Sequence, residues 1–160
     1  MSEAGWLWIE YTDNSSGDAT RDLCHAYMLA ASRLLYEGKI ERAIEYATEA
    51  LRLARSIADQ MSEWAALGSL GNIDYETGHW ASAHDYYTQA LSIVQTLGHR
   101  RGEGYLSYNL SLVYHRLGEH QQAIRMAQRA FDLLSALNDE HVQEIHAQLH
   151  HWMATYQANP

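Results

Sequence analysis

The chain has 160 residues and a formal net charge of −9, with 47% hydrophobic and 19% charged residues. This length and composition are typical of one soluble globular domain with a sizeable core. The acidic balance disfavours a nucleic-acid-binding module, which presents a basic surface to phosphates, and no apolar stretch is long enough to cross a membrane. We therefore expect neither nucleic acid nor a membrane as a partner. The single cysteine, Cys24, excludes an internal disulfide and fits a reducing compartment, so a cytoplasmic protein is expected.

Residues 1–18 form a predicted N-terminal extension that matches nothing later in the chain. It carries the aromatic stretch Gly5-Trp6-Leu7-Trp8-Ile9-Glu10-Tyr11 and then a loop-like segment over 12–17. Two interpretations stay open. The stretch can cover the apolar end of the helices that follow, or it can join two copies into a homodimer. A homodimer could form through this stretch, at Trp6 and Trp8, or alternatively through the exposed ends of the helical domain.

The rest of the chain has the pattern of helix pairs that repeat with a period of 40 residues. Apolar residues recur at spacings of three and four, and the only proline, Pro160, interrupts none of them. The pattern predicts helices over 19–37, 40–57, 62–77, 80–97, 102–117, 120–137 and 141–157. The repeats therefore span about 19–58, 59–98 and 99–138, and the last helix has no partner.

Small residues recur in register within each repeat. Glycine occupies positions 38, 78 and 118, and alanine follows five and twelve residues later. Because glycine adopts positive φ at little cost, each glycine is expected to lie in the turn between the two helices of a pair. The alanines let neighbouring helices approach closely, and three stacked pairs bury apolar surface that a single pair cannot. The pattern therefore predicts an all-α solenoid.

This arrangement resembles the tetratricopeptide repeat, and the second repeat matches it best, through Leu70-Gly71, Gly78, Ala83, Tyr87 and Ala90-Leu91. The third repeat departs from it, with Ser111 in place of Gly71 and Ala127 in place of Tyr87. The period exceeds the common one of about 34 residues and resembles a longer variant found in bacterial regulators and in some eukaryotic scaffold proteins. The segment Leu97-Gly98-His99-Arg100-Arg101-Gly102-Glu103 is similar to the link between repeats in actinobacterial regulators, so a bacterial protein is expected. The resemblance implies a right-handed α-α solenoid over residues 19–160, with three helix pairs and a capping helix over 141–157.

The resemblance also implies a concave groove that is lined by the first helix of each pair and binds a segment of another protein. The expected partner-binding residues are rich in tyrosine: Tyr36, Asn72, Tyr75, Glu76, Tyr105, Tyr108, His115, Arg116 and Trp152. Tyrosine and tryptophan offer large contact area at low entropic cost. Asn72 suits a backbone amide of the partner, and Arg116 suits a carboxylate. Met28, Gly68 and Tyr108 stand where chaperone-binding relatives carry lysines, so a clamp for a C-terminal carboxylate is not expected.

These features predict a non-catalytic scaffold module that binds a protein or peptide without a cofactor. Cys24 and His25 are adjacent, so on a helix they point about 100° apart and cannot act as nucleophile and base. One alternative is a sensory or regulatory module that binds a small molecule or a signalling peptide. Another is a histidine-based metal protein, since His146 and His150 stand four residues apart and can face one ion. No third ligand lies on the same turn, so a metal site is not expected.

Overall fold

A computed structural model describes residues 19–157, which form seven α-helices and no strand. The helices are α1 (Ala19–Tyr36), α2 (Ile40–Ser56), α3 (Gln60–Glu76), α4 (Trp80–Thr96), α5 (Arg100–Arg116), α6 (His120–Ser135) and α7 (Val142–Gln157). All seven begin and end within two residues of the predicted bounds. The predicted extension over 1–18, with Trp6 and Trp8, lies outside the described residues, so its role stays a prediction.

A residue with left-handed backbone follows each helix from α1 to α6, at a regular interval of 20 residues. The φ angle is positive at Gly38, Ala58, Gly78, Gly98, Gly118 and Asn138. This conformation lets the chain reverse in a few residues, so successive helices can pack against each other. A Cβ added to any of these four glycines would meet no atom within 4 Å. Backbone conformation, and not crowding, therefore favours glycine in these turns.

The helices stack in chain order into an all-α solenoid. Each helix packs against the next, and α1 also packs against α3. The alanines predicted to allow close approach are fully covered, with 0% exposure at Ala43, Ala50, Ala83, Ala90, Ala123 and Ala130. The predicted fold, three helix pairs followed by a single terminal helix, is confirmed.

The terminal helix α7 covers the end of the third pair with one face and meets solvent with the other. Ile145, Leu149 and Trp152 belong to a buried cluster with side chains of α5 and α6. His150 and His151 are exposed. Within residues 19–157 no further helix covers this outer face, and a polar face suits a helix in that position.

Gly71 and Tyr87 form a close packing contact between the helices of the second pair. A Cβ built on Gly71 would lie 2.6 Å from Tyr87 Cε1, well inside van der Waals distance. The Tyr87 ring is fully buried, and its hydroxyl donates a hydrogen bond to Asn72 Oδ1 at 2.6 Å. The third repeat has Ser111 and Ala127 at these two positions. The two positions therefore compensate in size. The large Tyr87 requires glycine at position 71, and the side chain of Ser111 requires a small residue, Ala127, opposite it.

Capping side chains hold the links between pairs. Asp59, His99 and Asp139 each accept a hydrogen bond from a backbone N–H at the start of the next helix. Arg21 and Arg101 reach the two carboxylates at 2.7 and 3.4 Å. Burial alone would raise the pKa of both carboxyl groups, but the hydrogen bonds that they accept outweigh it and hold each pKa below its usual value. These contacts fix how one pair is oriented on the next.

Candidate partner-binding site

Three of the predicted partner-binding residues lie inside the solenoid. Asn72, Tyr108 and Trp152 are 4%, 1% and 2% exposed. The Asn72 carbonyl oxygen already accepts the hydrogen bond from Tyr87, so it is engaged within its own pair. Helical spacing places these residues on the inner helices but does not show which neighbouring pair covers them. Their burial removes them from the surface that a partner can touch, contrary to the expectation of an open groove lined by all nine side chains.

Tyr105 contributes to a link between pairs. Its hydroxyl donates a hydrogen bond to Asp139 Oδ2 at 2.8 Å, and its ring packs edge-on against His141 with 5.7 Å between centroids. Burial, followed by the interaction with Asp139, raises the pKa of Tyr105, so the hydroxyl keeps its proton and continues to donate. The residue stabilises the junction of the third pair with α7, at the end of α5 far from Arg116.

The other five predicted residues lie at the C-terminal ends of the first helices. Tyr36 ends α1, Tyr75 and Glu76 end α3, and His115 and Arg116 end α5. Because these positions are equivalent in the repeat, the solenoid sets them along one edge, beside the turns within the pairs. We call these five residues the turn edge. Tyr36 is 77% exposed, Arg116 is exposed, and the other three are partly exposed.

Arg116 is held in place by two aromatic rings of the second pair. Its Nε donates a hydrogen bond to the Tyr75 hydroxyl at 3.2 Å, which raises the pKa of the guanidinium. Its Cζ lies 5.7 Å from the Tyr75 ring centroid and 6.0 Å from that of Trp80, within cation–π range. Among the described residues, no carboxylate forms an ion pair with Arg116 and no acceptor meets its other N–H groups. Glu76 of the same edge is close enough to raise the pKa of Arg116 further. The guanidinium is therefore a positioned surface cation with an acidic neighbour but no direct ion pair among residues 19–157.

Stacked rings continue the turn edge towards α7. The His115 ring lies on Trp152 with 4.9 Å between centroids, and the His120 ring lies on Tyr156 at 3.8 Å. The Tyr156 hydroxyl is 2.8 Å from His115 Nδ1. Burial, with smaller effects from His120 and Arg116, lowers the pKa of His115. The lowered pKa favours the neutral imidazole, a flat polar ring, over a second positive charge beside Arg116.

Trp80 and His120 also belong to this surface, although the nine predicted partner-binding residues do not include them. Each is the first residue of a second helix and stands two positions after a repeat glycine. Positions 80 and 120 are equivalent in the repeat, and that register is the signal that could have identified them. Because the resemblance assigns the groove to first helices, side chains that begin second helices are not expected to take part.

A polar cleft of about 230 Å³ lies at the opposite edge, where the links between pairs run. Its lining consists of Trp64, His99, Arg101, Tyr105, Asn138, Asp139 and Glu140. Trp64 is 2% exposed, and its Nε1 has no hydrogen-bond partner among the described residues. Small-molecule sites commonly enclose about 300–1,000 Å³, so this cleft suits a small polar ligand better than a peptide segment.

Comparison with known proteins identifies the repeat. A family model described as the tetratricopeptide repeat matches residues 22–96, and a second model with the same description matches residues 105–133. The chain belongs to the tetratricopeptide repeat family. Membership indicates a protein-interaction scaffold. No helix within residues 19–157 is long and apolar enough to span a membrane.

Solved structures share the fold at low sequence identity. The apo form of RapI superposes with a TM-score of 0.80 at 12% identity, and the match covers 89% of this chain and 40% of that one. BtubC (BKLC) from P. vanneervenii has a TM-score of 0.77 at 18% identity, over 86% of this chain and 57% of that one. The present chain thus spans roughly half the length of these structures, and the similarity concerns the fold alone. No curated protein matches the sequence.

Proposed function

We propose that this protein is a non-catalytic scaffold module whose turn edge binds a segment of another protein. The supporting observation is Arg116, which is exposed, held by Tyr75 and Trp80, and in no direct ion pair with a carboxylate among residues 19–157. A cation that is already ordered loses little side-chain entropy when a ligand binds, so a carboxylate gains more from it than from a mobile arginine.

The neighbouring side chains define the chemistry of the partner segment. Tyr36 and Tyr75 present rings along the same edge, and such rings bind apolar or aromatic side chains with a hydroxyl left for a hydrogen bond. Glu76 lies between Tyr36 and Arg116 in the order of the repeats and repels a second acidic group. We therefore infer a segment with one acidic residue that faces Arg116 and with apolar or aromatic residues beside it.

Affinity capture with matched double variants tests this proposal. The test variant is Tyr36→Ala/Arg116→Ala, and the control is Leu29→Ala/Arg125→Ala, which removes an exposed apolar residue and an exposed arginine elsewhere on the solenoid. Circular dichroism must first show that both variants are folded. We expect a partner that wild type and control retain and the test variant loses. A partner that only the control loses would place the binding surface away from the turn edge.

A second candidate function is sensing of a small ligand at the link cleft, supported by the buried Trp64 Nε1 donor and the nearby Arg101 guanidinium. A ligand that binds the folded state raises the melting temperature in proportion to the logarithm of its concentration over its dissociation constant. We expect such a rise for wild type and a smaller one for Arg101→Ala. No rise with any member of a panel of small polar metabolites would count against a sensory role.

A further inference from the structure

Two histidines of α7 converge on one point outside the solenoid. His146 and His150 are both exposed, and their Nε2 atoms lie 2.9 Å apart. The ring centroids are 4.2 Å apart with an interplanar angle of 68°, so the rings meet edge to face, and the two Nε2 atoms are turned towards each other. Neither ring forms an ion pair with a carboxylate among the described residues.

The position of this pair is fixed by the packing of α7. The Phe131 ring of α6 lies 5.1 Å from the His146 ring and limits its orientation. Ile145 and Leu149, which immediately precede His146 and His150, are 0% and 3% exposed and anchor the same turns of α7. The two imidazoles therefore project from a helix whose orientation is fixed by packing, so a ligand has only the two side chains to order.

The distance between the two nitrogens has a meaning for metal coordination. A metal–imidazole bond of about 2.0–2.1 Å places two ligands at a right angle about 2.9 Å apart, and two tetrahedral ligands about 3.3–3.4 Å apart. The observed 2.9 Å corresponds to the right angle. It is also the length of an N–H···N hydrogen bond. A metal ion bound to both nitrogens lies to one side of the line between them, so the imidazoles keep this spacing but turn until both lone pairs face the ion, and the shared proton is released.

We propose that His146 and His150 form an exposed two-ligand site for a divalent transition metal of right-angle geometry, Cu²⁺ or Ni²⁺. Imidazole nitrogen suits both ions, and square-planar or octahedral coordination accepts the observed spacing directly. Among the described residues no group of three or more His, Cys, Asp and Glu side chains could hold a metal. Water fills the remaining positions, so the site is open and available to a further ligand.

Calorimetric titration of the untagged chain with NiCl₂ at pH 7.5 tests the assignment. We expect wild type to bind one Ni²⁺ per chain. The second imidazole of a linked pair acts at high effective concentration, so His150→Ala and His146→Gln should each weaken binding about 100-fold. His151→Ala removes the neighbouring exposed histidine and should bind like wild type. Loss of binding in His151→Ala, or unchanged affinity in His150→Ala, would overturn the proposal.

A thermal measurement gives a second readout that does not depend on calorimetric heats. With Ni²⁺ at ten times its dissociation constant, the melting temperature of wild type should rise by about 3–6 °C. The rise should be absent in His150→Ala, whose melting temperature without metal shows whether the variant is folded. Absence of Ni²⁺ binding by wild type would refute the metal site and show that the two histidines form only a hydrogen-bonded pair. Tighter binding of Zn²⁺ than of Ni²⁺ would refute the right-angle geometry.

Discussion

Replacement of Gly71 by alanine isolates the close contact that sets the spacing of the second pair. The added Cβ would lie 2.6 Å from Tyr87 Cε1 and 2.7 Å from Cδ1. The ring cannot easily move, because it is fully buried and its hydroxyl is bonded to Asn72. The variant must therefore separate α3 from α4 or displace the tyrosine, and either change disturbs a packed core.

Two effects of opposite sign determine the size of the change. Overpacking of a core by one methyl group costs about 1–3 kcal/mol. Alanine in place of glycine inside a helix recovers about 0.5–1 kcal/mol. We expect Gly71→Ala to lower the free energy of unfolding by about 1–2 kcal/mol. In a domain of this size that corresponds to a fall in melting temperature of about 2–8 °C.

Urea denaturation of a double-mutant cycle measures the contact itself. Tyr87→Ala reproduces the alanine that the first and third repeats carry at the equivalent positions, Ala47 and Ala127. In that background the added Cβ meets no ring, so Gly71→Ala should become neutral or stabilising by up to about 1 kcal/mol. An equal cost of Gly71→Ala in both backgrounds would refute the steric explanation of the size exchange between repeats.

Three further predictions concern the links and the turn edge. Ala58 and Gly98 occupy equivalent positions with left-handed backbone, which glycine adopts more easily than alanine. Ala58→Gly should therefore raise the free energy of unfolding by about 1 kcal/mol, and Gly98→Ala should lower it by about as much. Urea denaturation measures both, and changes of the same sign would contradict this explanation. The lowered pKa of His115 means that the unfolded chain binds more protons than the folded one near the ordinary pKa of about 6.5. The melting temperature should therefore be lower at pH 5.5 than at pH 7.5, and His115→Gln should reduce this difference. If the variant shows the same difference, other titrating groups cause the pH dependence. Asp59→Ala removes the cap of α3 and the ion pair with Arg21, so the free energy of unfolding at pH 7 should fall by about 1–2 kcal/mol in urea denaturation. Because the pKa of Asp59 is depressed in the folded state, this loss should shrink as the pH falls through that pKa. No loss at pH 7 would mean that water replaces the cap.

The helical framework could be predicted because the same turn and packing residues recur in all three repeats. The glycines at 38, 78 and 118 mark turns with positive φ, and the alanines that follow are buried in every pair. A local requirement that recurs in register leaves little ambiguity in the ends of the helices. In the sequence, the replacement of Gly71 and Tyr87 by Ser111 and Ala127 in the third repeat is visible only as a departure from the pattern. The reason for it is the close contact between the two helices, which only the structure shows.

The binding surface was less predictable, because exposure depends on contacts between repeats. Tyr75 and Tyr108 both lie on first helices, yet the first is partly exposed and the second is 1% exposed within the cluster formed with α6 and α7. Helical periodicity gives the direction of a side chain and not the helix that covers it. Trp80 lies outside the predicted set because it begins a second helix, and only the structure shows its contact with Arg116 of the next pair.

Titration of the captured partner, purified, against wild type, Arg116→Ala and Arg125→Ala tests the account most directly. Arg116 and Arg125 are both exposed arginines, and only Arg116 is held between aromatic rings on the turn edge. If Arg116 is a centre of binding, its removal costs about 2 kcal/mol or more, which weakens binding about 30-fold. We predict that loss for Arg116→Ala and a change of less than about twofold for Arg125→Ala. Equal affinities of the two variants would contradict the assignment of the turn edge as the binding surface.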